Sequence, residues 1–429
     1  MRYGAAMDAA PPPPSAAHRS IEAVFRIESA RLIAGLVRVV RDVGRAEELA
    51  QDALVAALEQ WPVEGVPDNP GAWLMGVAKH RAVDAVRRNA LFEQKQEELG
   101  QQLELTQRPA ADPETALDEN VGDDLLRLVL IACHPLLATE ARVALTLRLL
   151  GGLSTDEIAR AFLVPEPTVA QRIVRAKKTL AEANAPFEVP RGDQLQQRLA
   201  SVLEVIYLIF NEGYVATAGD DLMRPQLCED ALRLGRILAA LTPDESEVHA
   251  MVALMELQAS RAAARVDADG NPILLLDQNR ARWDQLLIRR GLAALARAQS
   301  LGGTAGPYLL QAAIAACHAF ARTADQTDWK QISLLYGALA VLMPSPVVEL
   351  NRAMALAMSD GPAIGLELVD QLVDEPSLAR YHLLSSVRGD LLARLGRNAE
   401  AKMEFERAAS MTRNEREKKL LLARAAACN

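Results

Sequence analysis

The segment Leu153–Leu180, LSTDEIARAFLVPEPTVAQRIVRAKKTL, constrains this chain more than any other. Its spacing predicts two short helices around a tight turn. Asp156 to Phe162 forms the first, with Ser154 or Thr155 placed to cap it and acids in its first turn. Leu163-Val164-Pro165 breaks that helix, and Pro167 suits the opening turn of the next. In the second helix Val169, Ile173, Ala176 and Leu180 recur at helical spacing and must face a core. Thr168, Gln171, Arg172 and Arg175 recur on another face, with Lys177 and Lys178 beyond. A helix that buries one stripe and offers Gln, Arg and Thr on another meets the requirement for reading a DNA major groove. The spacing alone fits a solvated basic helix equally well.

Composition limits what surrounds this segment. A chain of 429 residues is expected to hold about two to four domains at roughly 100–200 residues each. Half of it is hydrophobic, with Ala and Leu dominant and few aromatics, so the expected fold class is all-α. The net charge of −9 excludes a protein that coats nucleic acid by bulk electrostatics. DNA binding therefore has to come from local basic faces, helped by a partner.

Cys133, Cys228, Cys317 and Cys428 lie far apart without a CxxC spacing, which points to a reduced, cytoplasmic setting. Cys133-His134 and Cys317-His318 raise a metal question, but adjacent residues diverge on a helix and both pairs sit in apolar runs; no metal and no cofactor is expected. Asp267-x-Asp269-x-Asn271 resembles the start of an EF-hand loop, yet Pro272 stands where that loop needs Gly and Gln278 where it needs Glu. Ala298–Ala321, the longest uncharged stretch, is broken by Gly302, Gly303, Gly306 and Pro307 and reads as a loop and buried helix, so no membrane partner is expected. With six scattered histidines, no Gly-rich phosphate loop and no nucleophile–base pattern, enzyme activity is not expected.

The organisation expected along the chain is a Pro/Ala tail over 1–17, a helical block over 18–92, an acidic linker over 93–123 and a small block over 124–185. After a Pro-containing connector, a helical extension fills 193–429. Asp-Gly-Asn-Pro within Arg265–Leu276 predicts a turn or short hairpin. Gly389, Gly396, Ala401, Phe405 and Ala408 stand at tetratricopeptide-repeat spacings, and Ala353, Gly365 and Leu372 form a weaker copy, giving repeat-like helix pairs at about 344–425. Such stacks either bind a protein partner or serve as plain packing.

Two further helices carry chemistry. In Ala46–Leu58, Glu47, Glu48, Gln51 and Asp52 share one acidic face, suited to a basic protein partner and repelling to DNA, although such a pattern taken alone is more often a solvated face. In Asn69–Arg88, Leu74, Val77, Ala78, Ala82 and Ala85 make a buried stripe, while Lys79, His80, Arg81, Arg87 and Arg88 cluster with the single acid Asp84.

These three motifs, in this order, resemble bacterial extracytoplasmic-function sigma factors. Arg45–Asp52 is similar to the family's Asp-Ala-Glu-Asp-Leu-x-Gln-Glu helix, and Trp73–Arg88 to its Trp-Leu-x-x-Ile-Ala-Arg-Asn-Arg-Ala-x-Asp-x-x-Arg-Arg helix. Leu153–Leu180 is similar to its helix-turn-helix. Cys133–Leu153, Tyr207–Tyr214 and Leu275–Asp284 resemble the subgroup with a long tetratricopeptide-type extension. The resemblance implies that Glu47, Glu48, Gln51 and Asp52 dock on the β′ clamp helices of core RNA polymerase. The second domain would then meet the β flap, and the acidic linker would lie in the RNA-exit path. It implies that Lys79, His80, Arg81, Arg87 and Arg88 meet the minus-ten element, and that the loop Trp61–Asn69 pockets a flipped base. Thr168, Gln171, Arg172 and Arg175 would read the minus-thirty-five element, with Lys177 and Lys178 on phosphates. His80 replaces the usual Asn, Leu163 replaces the usual turn Gly, and Trp73 matches a core tryptophan. The expected activity is promoter-specific transcription initiation, with the extension regulating it or docking a partner. The competing reading is a polymerase-independent helix-turn-helix regulator with a helical sensor domain.

Overall fold

The computed structural model describes residues 16–99, 121–216, 218–302 and 305–428, and among them the chain is almost entirely helical. The side chains of 16–20, 22, 23, 26, 85–99, 121–123, 218 and 219 lie outside the description. So does the expected tail, except that Ala16 and Ala17 open the first helix. Of the expected linker, 100–120 fall outside, while 93–99 continue a helix and 121–123 begin the next. Residues 91–99, rich in Leu, Glu, Gln and Lys, are good helix formers, which favours running the helix past the expected boundary.

Two units divide the chain: 1–159 with 165–202, and 160–164 with 203–429. In the first, α1 (Ala16–Val40), α2 (Val43–Glu64) and α3 (Pro70–Leu99) pack on one another. Asp42 caps α2 by accepting the Arg45 amide at 2.6 Å, and the Asn69 side chain accepts the Ala72 amide at 3.1 Å just ahead of Pro70. Leu32, Ile33, Leu36 and Val37 of α1, Leu49 and Ala53 of α2 and Leu74, Ala78 and Ala82 of α3 are all buried where the three helices pack together. Trp61 lies in the last turns of α2, buried, and its ring meets Trp73 edge-on at 5.3 Å. The loop expected from Trp61 to Asn69 is therefore only residues 65–69.

α4 (Val121–Ala132) lies along α1 and against α5 (Thr139–Thr146). A π-helical turn, Leu147–Gly151, follows α5 and ends at Gly152 in the left-handed region. α6 (Thr155–Phe162) and α7 (Glu166–Glu182) are the two expected helices. Ser154 and Glu157 cap α6 reciprocally: the Ser154 Oγ accepts the Glu157 amide at 3.1 Å, and Glu157 Oε2 accepts the Ser154 amide at 2.7 Å.

α8 (Asp193–Tyr214) starts in the first unit and ends in the second. Its first half was expected to open the extension. Instead Arg198 donates to the Leu130 carbonyl at 2.6 Å and Ser201 to the Cys133 carbonyl at 2.7 Å, closing the end of α4. Arg142 of α5 donates to the same Ser201 hydroxyl.

The second unit continues with α9 (Pro225–Leu241), α10 (Ser246–Ala259), α11 (Gln285–Ser300), α12 (Pro307–Phe320), α13 (Trp329–Leu342), α14 (Pro346–Asp360), α15 (Pro362–Gln371), α16 (His382–Arg394), α17 (Asn398–Met411) and α18 (Glu415–Ala427), mostly packed on their chain neighbours. The segments singled out in its sequence carry structural work. Arg280 is buried and donates to the carbonyls of His318 and Ala321 and to the Thr327 hydroxyl, each at 2.8 Å. Tyr207, Phe210 and Tyr214 stack along α8, and the Arg265 guanidinium lies 3.7 Å over the Tyr214 ring. Buried Asn414 caps α18 and donates to the carbonyls of Ala216 and Asp221, beside a two-residue parallel pairing of 218–219 with 413–414. The 265–276 segment turns back on itself through a Val266–Pro272 bridge. Asp267 spends its carboxylate on the amides of Asp269 and Asn271, which answers the EF-hand resemblance with an ordinary turn.

The small residues at repeat spacing sit where helices approach most closely. A Cβ on Gly365 would lie 2.5 Å from the Ala357 Cβ and 2.7 Å from the Ala353 carbonyl oxygen, and one on Gly389 would meet the Phe405 ring at 2.9 Å. Because the obstacle at Gly365 includes backbone, Gly365→Ala should destabilise the second unit by about 1–3 kcal/mol, read as a lowered urea midpoint. An unchanged midpoint would show that the α14–α15 contact is loose.

Candidate nucleic-acid interface

α7 divides its faces as its periodicity demands. Val169, Ile173, Ala176 and Leu180 are all buried. Gln171, Arg175 and Lys178 are exposed, with Thr168, Arg172 and Lys177 half-buried. Among the described residues neither Arg172 nor Arg175 has an ion-pair partner, so two uncompensated guanidiniums project near Gln171 on one helix. Lys178 pairs across one turn with Glu182 at 3.5 Å, an exposed contact of little strength.

Leu163 supplies the turn between α6 and α7 by adopting a positive φ of 51°, the region that glycine fills without strain. Its side chain is largely exposed, so no burial compensates. Leu163→Gly should therefore raise stability, by about 0.5–1 kcal/mol once the extra freedom of the unfolded glycine is subtracted. A thermal melt checks this; a lowered Tm would mean that Leu163 packs against something its exposure conceals.

The acidic face of α2 differs from expectation. Glu48, exposed, pairs with Arg45 at 2.8 Å, and Asp52 lies 3.5 Å from Arg81 of α3. Gln51 is half-buried. Glu47, assigned to the same face, points inward and is only 5% exposed. Its carboxylate accepts from Arg148 Nε at 2.7 Å and pairs with the Lys177 ammonium. The i, i+4 pair Glu47 and Gln51 occupies the seam between the solvent and core faces of α2, and the partners come from the π turn and from α7. Lys177 is thereby held against α2, apart from exposed Gln171 and Arg175. Arg148, which sequence reasoning missed, is the single charge within the apolar run Val143–Leu153; that isolation was the signal for a buried partner. The same unit holds Arg38 3.5 Å from Asp124, whose other oxygen accepts from Arg127 at 2.6 Å.

Burial raises the proton affinity of Glu47, but the Lys177 ammonium and the Arg148 guanidinium outweigh it and hold the carboxyl below the ordinary carboxylate value. The pair therefore stabilises the first unit fully above the unfolded value, about pH 4.3, and the contribution is lost as pH falls through the lowered folded value. Glu47→Gln leaves two cations facing each other at a buried site and should cost about 3 kcal/mol. Labels at exposed Val55 and Val174 would report it as a longer α2–α7 distance at neutral pH, with acid lengthening the wild-type distance in the same way. A variant distance equal to wild type would mean that the apolar contacts alone hold α2 to α7.

On α3, His80 is exposed and Lys79 and Arg81 are half-buried. Arg87 and Arg88 belong to the helix, but their side chains lie outside the described residues. Trp73 is half-buried against Trp61, in keeping with a packing role. Neither Cys-His pair gathers a third ligand: among the described residues no group of three or more His, Cys, Asp or Glu side chains is placed to hold a metal. Cys133 is buried with its sulfur 3.3 Å from the Thr146 hydroxyl, and His134 accepts the Leu136 amide. No helix among the described residues is long and apolar enough to cross a membrane.

Comparison with known proteins matches three segments of the chain to family models. Residues 25–92 match the family model described as sigma-70 region 2, and 127–180 that of sigma-70 region 4. Residues 198–299 match a family of unknown function, DUF6596. The uncharacterized protein R00370 of Rhizobium meliloti (strain 1021) is 43% identical over 381 residues, covering 88% of this chain and 89% of that protein. The ECF RNA polymerase sigma factor SigK of Mycobacterium ulcerans (strain Agy99) is 30% identical over 168 residues, covering 38% of this chain and 84% of SigK.

Proposed function

This chain belongs to the ECF RNA polymerase sigma factors, and we propose that it binds core polymerase through the α2 face and grips promoter DNA at two points, α3 and α7. The observation that carries the reading is α7: a buried apolar stripe fixes its rotation, and Gln171, Arg172 and Arg175 lie beyond that stripe with both guanidiniums unpaired among the described residues. Arg and Gln are the side chains whose donor and acceptor pattern matches guanine and adenine edges in the major groove. On this reading α3 contributes Lys79, His80, Arg81, Arg87 and Arg88 to the minus-ten element. Strand opening is driven by the binding energy of captured, unstacked bases rather than by chemistry on the protein.

Glu48, Gln51 and Asp52 remain at or near the surface of α2 and would meet a basic helix of the polymerase. Glu47 joins them only if Lys177 and Arg148 let go. The paired state of region 2 and region 4 is then a resting state, and docking on polymerase releases Lys177 to a phosphate. The extension carries repeat-like helix pairs and is reached through α8, whose first half belongs to the promoter-reading unit. Arg198 and Ser201 brace the end of α4 there.

Two experiments test the proposal. In transcription from a cognate promoter, Arg172→Ala or Arg175→Ala should each lower initiation by the equivalent of about 1–3 kcal/mol and relax base preference at one position. Unchanged output and preference would remove that residue from the reading face. A gel shift with and without core polymerase separates a sigma factor, which needs core for tight promoter binding, from a self-sufficient regulator, which does not.

The extension is read by truncation. A chain ending at Asn184 loses Arg198 and Ser201 and should transcribe less than the full chain. A gain would mean that the extension inhibits, and no change would remove it from regulation altogether.

A further inference from the structure

The second unit contains a cavity of about 360 Å³ that the promoter reading does not use. α10, α12, α13 and α14 supply most of its walls. Leu254, Ile314, Leu339 and Val348 give it an apolar body, and Gln258, Gln311, Asn351 and Tyr336 place amides and a hydroxyl around it. No carboxylate lines it, and its one cationic side chain is Arg261. Apolar walls with a few convergent polar groups are the usual make-up of a small-molecule site.

Two features of that lining call for an anion. Arg261 has no carboxylate partner among the described residues; its guanidinium lies 5.7 Å over the Trp283 ring, and its Nε makes no hydrogen bond. Arg265 and Arg280 stand close enough to repel it, since each is depressed by burial and then by the Arg261 charge. Arg280 spends its own donors on two carbonyls and a hydroxyl, which leave its charge uncompensated by contact. The second feature is His318, which lines the cavity, is 7% exposed and has an unpartnered Nδ1. Burial and the flanking arginines push its pKa down to about 3, so the ring is neutral and offers hydrogen bonding without adding charge. A buried polar ring atom without a partner is costly unless something supplies one.

The geometry points to a binding site for a small amphipathic organic acid, its anionic head on Arg261 within reach of the His318 ring and its apolar tail among Leu254, Ile314, Leu339 and Val348. At ~30 Å³ per water-sized group the cavity holds about a dozen non-hydrogen atoms, the size of a medium-chain carboxylic acid rather than a peptide segment. Arg261 and Leu275 also border a second cavity of about 220 Å³, lined by Arg265, Arg424, His382 and Glu417, so Arg261 stands between the two cavities. The Tyr336 hydroxyl, pushed up to about 12 by burial, stays protonated and able to donate.

Titration calorimetry on the full-length chain tests this with octanoate and its neutral counterpart octanamide. Octanoate should bind saturably at one site, and octanamide about tenfold or more weaker, because only the carboxylate makes a charge-assisted hydrogen bond. Arg261→Gln should weaken octanoate by about tenfold or more while leaving octanamide unchanged. Asn351→Trp, at an exposed lining position, should block both ligands without lowering the Tm. Non-saturable octanoate binding, equal affinity for the two ligands, or an Arg261→Gln variant with wild-type affinity would each overturn the site. Tighter binding of a hexapeptide ending in a free Leu carboxylate would overturn it in favour of protein docking. The readout is binding to the extension, so its failure is distinguishable from any failure of the promoter reading, which transcription measures.

Discussion

The first unit turns on one buried carboxylate. Glu47 is taken out of water on a helix whose neighbouring acids stay wet, and that position is tolerable only because two cations come to it. One of them, Arg148, is carried by a π turn. The other, Lys177, is carried by α7. The ion pairs therefore couple three elements that share no local sequence: α2 of region 2, and the π turn and α7 of region 4. Desolvation makes such a contact weak as a source of net stability but strong as a specifier of arrangement, because removing either side strands a charge. On the proposed reading, docking opens this contact to present Glu47, and a basic surface on the partner takes the place of the two cations.

The second unit is held by buried polar groups of another kind. Arg280 and Asn414 find carbonyls rather than carboxylates, and each binds chain segments far apart in sequence: residues 280, 318, 321 and 327 in one case, and 216, 221 and 414 in the other. These are loop closures. They satisfy carbonyls that helix ends leave open, and they explain why the segment Leu275–Asp284 carries charged and amide side chains in an otherwise apolar region. Helical stacking supplies the area in this unit, and these two side chains fix how the stack is tied at its connections.

Much of this was legible in the sequence, and the reasons differ by element. The rotation of α7 was readable residue by residue, because four apolar positions at helical spacing allow one solution. The close approaches at Gly365 and Gly389 were readable because only a missing Cβ permits them. The inward turn of Glu47 was not readable: on α2 it is one residue from exposed Glu48, and its partners lie about a hundred residues away. Periodicity assigns a seam residue to either face, and tertiary charge decides. Likewise the π turn has no pattern of its own, and the first half of α8 follows a proline-containing connector that looks like a boundary. Its role in bracing α4 rests on two hydrogen bonds that no composition shift announces. The substituted turn residue Leu163 was legible as an oddity, and its positive φ is the physical content of that oddity.

The charge distribution gives the closed arrangement a consequence for DNA affinity. Each phosphate neutralised by Lys or Arg contributes through counterion release, so affinity scales with the number of cations free to make that exchange. On α7 that number is small. Lys177 is already neutralised by Glu47, Lys178 has Glu182 at hand, and Arg172 and Arg175 remain. Against a chain carrying a net −9, the two guanidiniums of α7 by themselves support little non-specific binding at physiological salt. On the proposed reading polymerase reverses both features: it screens the negative charge, and by competing for Glu47 it frees Lys177. On that reading polymerase dependence needs no separate device, since docking α2 and freeing Lys177 of α7 are one event.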